Sequence, residues 1–154
     1  MTRAGRRTYL AAVSTLGTVG LAGCVNILGP ERDIVRFAGE EYDIGMTRNA
    51  FVPDEYEISV GETVVWKNTS GAMHTVTAYE RALPEGGEFF ASGGYATQKE
   101  AEEAWDQSLG GGIDRSETFE HTFKMPGTYS YYCIAHEADG RGDGKQIGIV
   151  RVTE

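Results

Sequence analysis

From residue 40 onward, apolar and polar positions alternate in short runs. Tyr42, Ile44 and Met46 make one run, and Pro53 breaks the chain after it, at an edge or bend because proline cannot donate to a strand ladder. Tyr56, Ile58 and Val60 alternate again, Gly61-Glu62 marks a turn, and Thr63-Val64-Val65-Trp66 continues in β-branched and aromatic residues. Residues 74–79 (HTVTAY) read as a further short strand. Residues 118–124, 128–133 and 147–152 read as three more. Phe119, His121 and Phe123 share one face of the first of these, and Tyr129, Tyr131 and Cys133 share one face of the next. Short strands punctuated by Gly and Pro predict an all-β fold, an antiparallel sandwich or barrel.

Residues 80–115 depart from this pattern. ERALPEGGEFFASGG is irregular, and Thr97-Gln98-Lys99-Glu100 matches a capping box opening a helix. Ala101, Ala104, Trp105 and Ser108 then fall on one face, which predicts a short helix packing Trp105 onto the strands and ending before Gly110-Gly111-Gly112. A bare surface insertion and a partner-docking element are equally compatible with this segment.

The N-terminal segment has a different character. Arg3, Arg6 and Arg7 precede an uncharged run over residues 10–23. These 14 residues fall short of the roughly 20 that cross a bilayer as a helix, so residues 1–23 read as a signal peptide. Arg6-Arg7-Thr8-Tyr9-Leu10 resembles a twin-arginine export signal, and Leu21-Ala22-Gly23-Cys24 resembles a lipobox ending in the cysteine to be lipidated. Those resemblances imply an extracytoplasmic protein held to the outer face of the membrane through Cys24, with residues 24–38 as lipidated cysteine and tether and one domain over 39–154. Beyond residue 23 the chain carries 11 basic and 23 acidic residues, a balance of −12. A body this acidic excludes nucleic acid as a partner, since phosphates are neutralised by Lys and Arg.

There are two cysteines, Cys24 and Cys133. With Cys24 lipidated, Cys133 has no disulfide partner, which leaves a reactive thiol, an intermolecular bridge or a metal ligand. The stretch ending in Tyr131-Tyr132-Cys133-Ile134-Ala135-His136 narrows the choice. A strand runs up to Cys133, and His136 follows on the turn leaving it, so a thiolate and an imidazole can face one ion. His74, just after the Asn68-Thr69-Ser70-Gly71 turn, is placed to bring a second imidazole to the same end of a sandwich. Two imidazoles and a thiolate with a weak axial donor make the blue-copper arrangement.

At this point the chain resembles the cupredoxins, and within them the plastocyanin-like halocyanins of salt-loving archaea. The matching segments are Val64-Val65-Trp66-Lys67-Asn68 with His74, Pro126-Gly127-Thr128-Tyr129 through Cys133 and His136, and Ile147-Gly148-Ile149-Val150-Arg151-Val152. The resemblance implies a Greek-key β-sandwich with one type 1 copper ion. It also implies a monomeric one-electron carrier that meets redox proteins transiently and is not an enzyme. Methionine is the family's usual axial ligand. Ungapped spacing puts Arg141 there, which cannot ligate, whereas aligning the last strand puts Gln146 there and lengthens the loop by five residues. Strands hold register while loops absorb insertions, so the expected ligands are His74, Cys133, His136 and, axially, Gln146.

Around the outer edge of His136, the residues Ala72, Met73, Ile134 and Ala135 form the expected apolar contact patch. Tyr132, bonded to Cys133, is placed with Met73 and Ala135 in the electron-transfer patch or, equally, packs the sheet. The loop from Arg141 to Lys145 is expected to tune partner choice. His121 reads as structural, and Met125 belongs to the opposite turn. The competing class is a copper-delivery or structural metal module without electron transfer; delivery sites are Met- or Cys-rich, and the four Met here are scattered. Three His in all are too few for a multicopper enzyme.

Overall fold

The computed structural model describes residues 35–37, 40–138 and 145–154. The strands in chain order are β1 (Val35–Phe37), β2 (Glu40–Tyr42), β3 (Ile44–Met46), β4 (Phe51–Val52) and β5 (Glu55–Ser59). They continue as β6 (Thr63–Asn68), β7 (Thr77–Ala78), β8 (Thr118–Thr122), β9 (Gly127–Tyr132) and β10 (Ile147–Thr153). Helix α1 spans Gln98–Ser108 and α2 spans Ile134–Ala138. The segment 1–23, Cys24 and the loop positions 141–144 lie outside the described residues. Val35–Phe37, within the stretch read as tether, pairs antiparallel with β2.

Two four-stranded sheets, ordered β5-β10-β9-β7 and β4-β3-β6-β8, form the cupredoxin-like β-sandwich. Pairing is mixed, which corrects the purely antiparallel expectation. β10 runs parallel to β5, and β3 runs parallel to β6, each pair being separated along the chain by at least one strand of the other sheet. β10 shows why its sequence makes a half-buried strand: Gly148, Val150 and Val152 face in while Ile147, Arg151 and Thr153 face out. Gly148 has a steric reason to be glycine. It pairs with Tyr131 across the ladder, and a Cβ there would overlap the Tyr131 ring.

Trp66, fully buried, centres the core between the sheets. Its ring lies 5.4 Å from Tyr131, edge-on, and 5.9 Å from Phe90, stacked. Ile44, Met46, Phe51, Ile58, Val64, Phe123 and Val150 complete the layer. His121 stacks on Phe90 at 4.7 Å and has the packing role expected of it. Val60, expected in a strand, sits in the turn after β5 and is 40% exposed.

The strand expected over 74–79 shrinks to Thr77–Ala78. The donors just before it are committed elsewhere: Thr75 N–H points to Cys133 Sγ and Val76 N–H to Ser92 Oγ. In the insertion, Thr97 Oγ1 accepts from Glu100 N–H at 3.2 Å, and Leu109 closes α1 in the left-handed region at φ 55°. The reciprocal bond from Glu100 goes to Ala96 N–H, one residue before the cap. Ala101 and Trp105 pack with Ala91, Tyr132 and Ile134 in a second small apolar cluster. Among the described residues no helix is long and apolar enough to cross a membrane.

Candidate metal centre

Register brings the site together. β9 and β10 pair as far as Tyr132 with Ile147, and one step further Cys133 N–H donates to the Gln146 carbonyl at 3.0 Å. Cys133 and Gln146 therefore face each other across the end of the sheet, with the inward parity of Tyr131 and Gly148. His74 arrives from the turn after β6 and is pinned by a two-way backbone bridge to Ile113 at the end of the insertion (2.8 and 3.3 Å). His136 lies on the first turn of α2, where sequence patterning indicated only a turn; its N–H donates to the Cys133 carbonyl at 3.2 Å.

One ligand atom from each of His74, Cys133 and His136 lies within 4.8 Å of the others. Cys133 Sγ is 3.3 Å from His136 Nδ1 and 3.7 Å from His74 Nδ1. The imidazoles lie parallel, 5.2 Å apart and tilted by 4°. His74 is fully buried and Cys133 is 1% exposed, while His136 is half-buried.

The outward nitrogens are already partnered. His74 Nε2 meets Ser70 Oγ at 2.8 Å, and His136 Nε2 meets the Arg48 carbonyl at 2.8 Å. Asn68 organises the first of these. Its Nδ2 donates to the Ala72 and Ile113 carbonyls, which turns Oδ1 toward Ser70 N–H and the Ser70 hydroxyl. With Asn68 Oδ1 and the Ala72 carbonyl both within reach of its single proton, Ser70 Oγ is left to accept from His74 Nε2–H. Both Nδ1 atoms then face the sulfur with lone pairs available, as a metal requires.

Burial pulls the His74 pKa down to about 4, with His136 adding to the shift and the nearby Gln146 amide opposing it. The ring is thus neutral over the whole physiological range. Burial pushes the Cys133 thiol up, against the Thr75 N–H that bonds its sulfur at 3.3 Å. A metal ion must displace that thiol proton on binding. Both amide atoms of Gln146 are buried, and although the amide lies near enough to His74 to oppose its shift, neither atom makes a hydrogen bond of good geometry. One thiol, two imidazoles with inward lone pairs and an uncommitted amide suit a soft or borderline ion with a weak fourth donor.

The structure brings His74, Cys133 and His136 together and sets Gln146 across from Cys133. It does not put Tyr132 on a surface with Met73 and Ala135. Tyr132 faces out from β9 but is covered by α1: its ring stacks on Tyr79 at 4.4 Å, and its hydroxyl donates to Glu102 at 2.5 Å. Met73 and Ala135 are half-exposed beside their ligand neighbours. Sequence reasoning missed Ser70, Thr75 and the Arg48 carbonyl. Asn68 with Ser70 two positions on carries the signature of a side-chain-closed turn. Thr75 looks like any strand threonine, and a backbone carbonyl has no signature.

Residues 38–143 match the family of copper binding proteins of the plastocyanin/azurin type. The chain is 31% identical over 131 residues to the chloroplastic plastocyanin major isoform of Arabidopsis thaliana, covering 85% of this chain and 65% of that one. It is 33% identical over 91 residues to the plastocyanin of Capsella bursa-pastoris, covering 59% of this chain and 80% of that one. The chain thus spans just under two thirds of the Arabidopsis protein's length, and 48% of the chloroplastic plastocyanin of Fritillaria agrestis. Among solved structures, a purple cupredoxin from Nitrosopumilus maritimus aligns with a TM-score of 0.42 at 23% identity, covering 68% of this chain and 82% of that one. The chain belongs to the plastocyanin/azurin family of copper binding proteins, and His74, Cys133 and His136 make up its type 1 copper site.

Proposed function

We propose that the protein is a plastocyanin-like one-electron carrier and not an enzyme. The observation that carries this reading is the cluster of one thiol and two imidazoles, the one metal-capable group of its kind among the described residues. Copper held there supplies a one-electron couple between Cu(I) and Cu(II). The chain holds the sulfur and both Nδ1 atoms in place from two loops: the Asn68–Ser70 network fixes His74, and Ile134 N–H donating to Thr75 Oγ1 at 2.8 Å ties the Cys133–His136 loop to it. It keeps water from Cys133 and His74, and presents His136 at the rim. A redox protein meets that rim briefly, at a small apolar contact including Met73 and Ala135, in the low-area class of interface. The carrier acts as a monomer.

Gln146 is the fourth, axial donor in this reading, supported by its position opposite Cys133 and its two unpartnered amide atoms. An amide oxygen is harder than a thioether and favours Cu(II), so Gln146→Met is expected to raise the reduction potential. An unchanged potential and spectrum would remove Gln146 from the site. The finer placement is a halocyanin of salt-loving archaea, exported by residues 1–23 and anchored through Cys24 to the outer face of the cell membrane. The −12 balance beyond residue 23 and the Leu21-Ala22-Gly23-Cys24 motif support it.

The deciding experiment is the visible spectrum and voltammetry of the domain with Cu(II). Intense thiolate-to-copper charge transfer with reversible one-electron reduction is expected. A colourless, tightly bound zinc form that rejects copper would establish a structural module instead.

A further inference from the structure

We propose that the backbone carbonyl of Arg48 is a positioning group for the outer copper ligand, fixing His136 as the Nε2–H tautomer before any metal arrives. His136 Nε2 lies 2.8 Å from that carbonyl. A carbonyl oxygen can only accept, so Nε2 carries a proton, and in the neutral ring, which has one proton, Nδ1 keeps its lone pair directed at Cys133 Sγ, 3.3 Å away. His74 reaches the same state through a hydroxyl, which could reverse its role; the Arg48 carbonyl cannot.

The carbonyl is held by a hairpin loop built for rigidity. Residues 47–50 join β3 to β4, whose pairing sets Met46 opposite Phe51. The loop is closed by three bonds: Thr47 N–H to the Ala50 carbonyl at 2.9 Å, Thr47 Oγ1–H to the same oxygen at 2.9 Å, and Ala50 N–H to Thr47 Oγ1 at 3.2 Å. Arg48 and Asn49 at its tip are exposed, so their side chains do not set the loop's shape. The half-buried ligand, which has solvent on one side and could turn, is thereby latched from outside by a turn 88 residues away in sequence. Second-sphere acceptors of this type fix ring orientation and raise ligand basicity.

The consequence for copper rests on the reading of the site given above, but the tautomer does not, so the test begins with metal-free protein. Nitrogen-15 NMR of the metal-free chain is expected to show His136 with its proton on Nε2. Thr47→Ala removes two of the three loop bonds. It is expected to speed Nε2–H exchange with water about fivefold, and to shift the thiolate-to-copper band of the loaded protein. Deleting Arg48 and Asn49 is expected to lower copper affinity by about tenfold or more, whereas Arg48→Ala, which keeps the carbonyl, retains the Nε2–H signal. A proton found on Nδ1 overturns the proposal. So does unaltered exchange and band position in Thr47→Ala, or Arg48→Ala matching the deletion. If the deletion does not fold, the tautomer and Thr47→Ala decide alone. A chain with the Nε2–H tautomer but no blue Cu(II) complex would sink the copper reading and leave this one standing.

Discussion

Tyr132 and Cys133 are consecutive residues at the end of β9, and the chain treats their two sides differently. On the outer side, α1 closes a hydrogen-bonded cluster over Tyr132. The Tyr132 hydroxyl donates to Glu102 and accepts from Gln98, and Gln98 also donates to Glu102 at 2.8 Å. On the inner side, Cys133 has its sulfur among Thr75 N–H and two imidazoles, and the Gln146 amide opposite has no partner for either atom. Buried polar atoms without partners destabilise the fold. Tyr132 has its hydroxyl bonded twice under α1, whereas one residue on, a thiol, two imidazoles and an amide with no hydrogen-bond partner converge on one point, as donors kept for a bound ion do.

The most severe way to break this contrast is to change one atom on the inner side. Cys133→Ser swaps sulfur for oxygen in nearly the same volume and is expected to abolish the visible charge-transfer band completely while near-ultraviolet circular dichroism of the aromatic core persists. Tyr132→Phe, one residue earlier, is expected to keep the band and lose about 1 kcal/mol of stability through its hydroxyl bond. A colourless Tyr132→Phe variant would show the two sides to be coupled.

Acid separates the sides next. His74 has a folded pKa of about 4 against 6.5 for the unfolded ring. The unfolded chain therefore takes up a proton first as pH falls. The contribution of neutral His74 is whole above pH 6.5 and is lost between 6.5 and 4, by about 3 kcal/mol for the metal-free protein. His121, also lowered by burial against the core, acts in the same direction. Urea titrations at stepped pH, repeated on His74→Gln, isolate the His74 share. An undiminished pH slope in that variant would assign the acid sensitivity to His121 instead.

The fold was readable wherever side-chain alternation reports burial. β5, β6 and β10 follow their patterns, and the alignment of Ile147-Gly148-Ile149-Val150-Arg151-Val152 singled out Gln146, which the structure then sets across from Cys133. The Thr97 cap and the end of α1 were readable because capping chemistry is local. What escaped depends on backbone atoms or on distant partners. His74–Tyr79 lost most of its ladder to Cys133 Sγ and Ser92 Oγ. The parallel pairs β3–β6 and β5–β10 depend on crossovers between sheets that no local pattern specifies. Of the two readings open for Tyr132, its neighbour in sequence, a ligand, favoured the surface patch, while its neighbours in space belong to the insertion and make it a packing residue.

Gln146→Leu sharpens the contrast from the stability side. It replaces a buried amide lacking partners by an apolar side chain of similar size, and is expected to stabilise the metal-free protein by about 2 kcal/mol in urea denaturation. Destabilisation would mean that the amide is satisfied in solution, and the inner side would no longer differ in kind from the outer.

The smallest effect tests the outer side. Thr97→Ala removes the side-chain acceptor for Glu100 N–H at the start of α1, an exposed cap worth about 1 kcal/mol. Because α1 covers Tyr132 and Ile134 without donating to any ligand atom, loosening its first turn is expected to lower the denaturation midpoint slightly and leave the copper spectrum and potential as they were. The insertion also ends at Ile113, whose backbone pins His74. A spectrum that moved with Thr97→Ala would therefore mean that strain at the helix start travels through α1 and the three glycines to that bridge, and the insertion would count as part of the metal site.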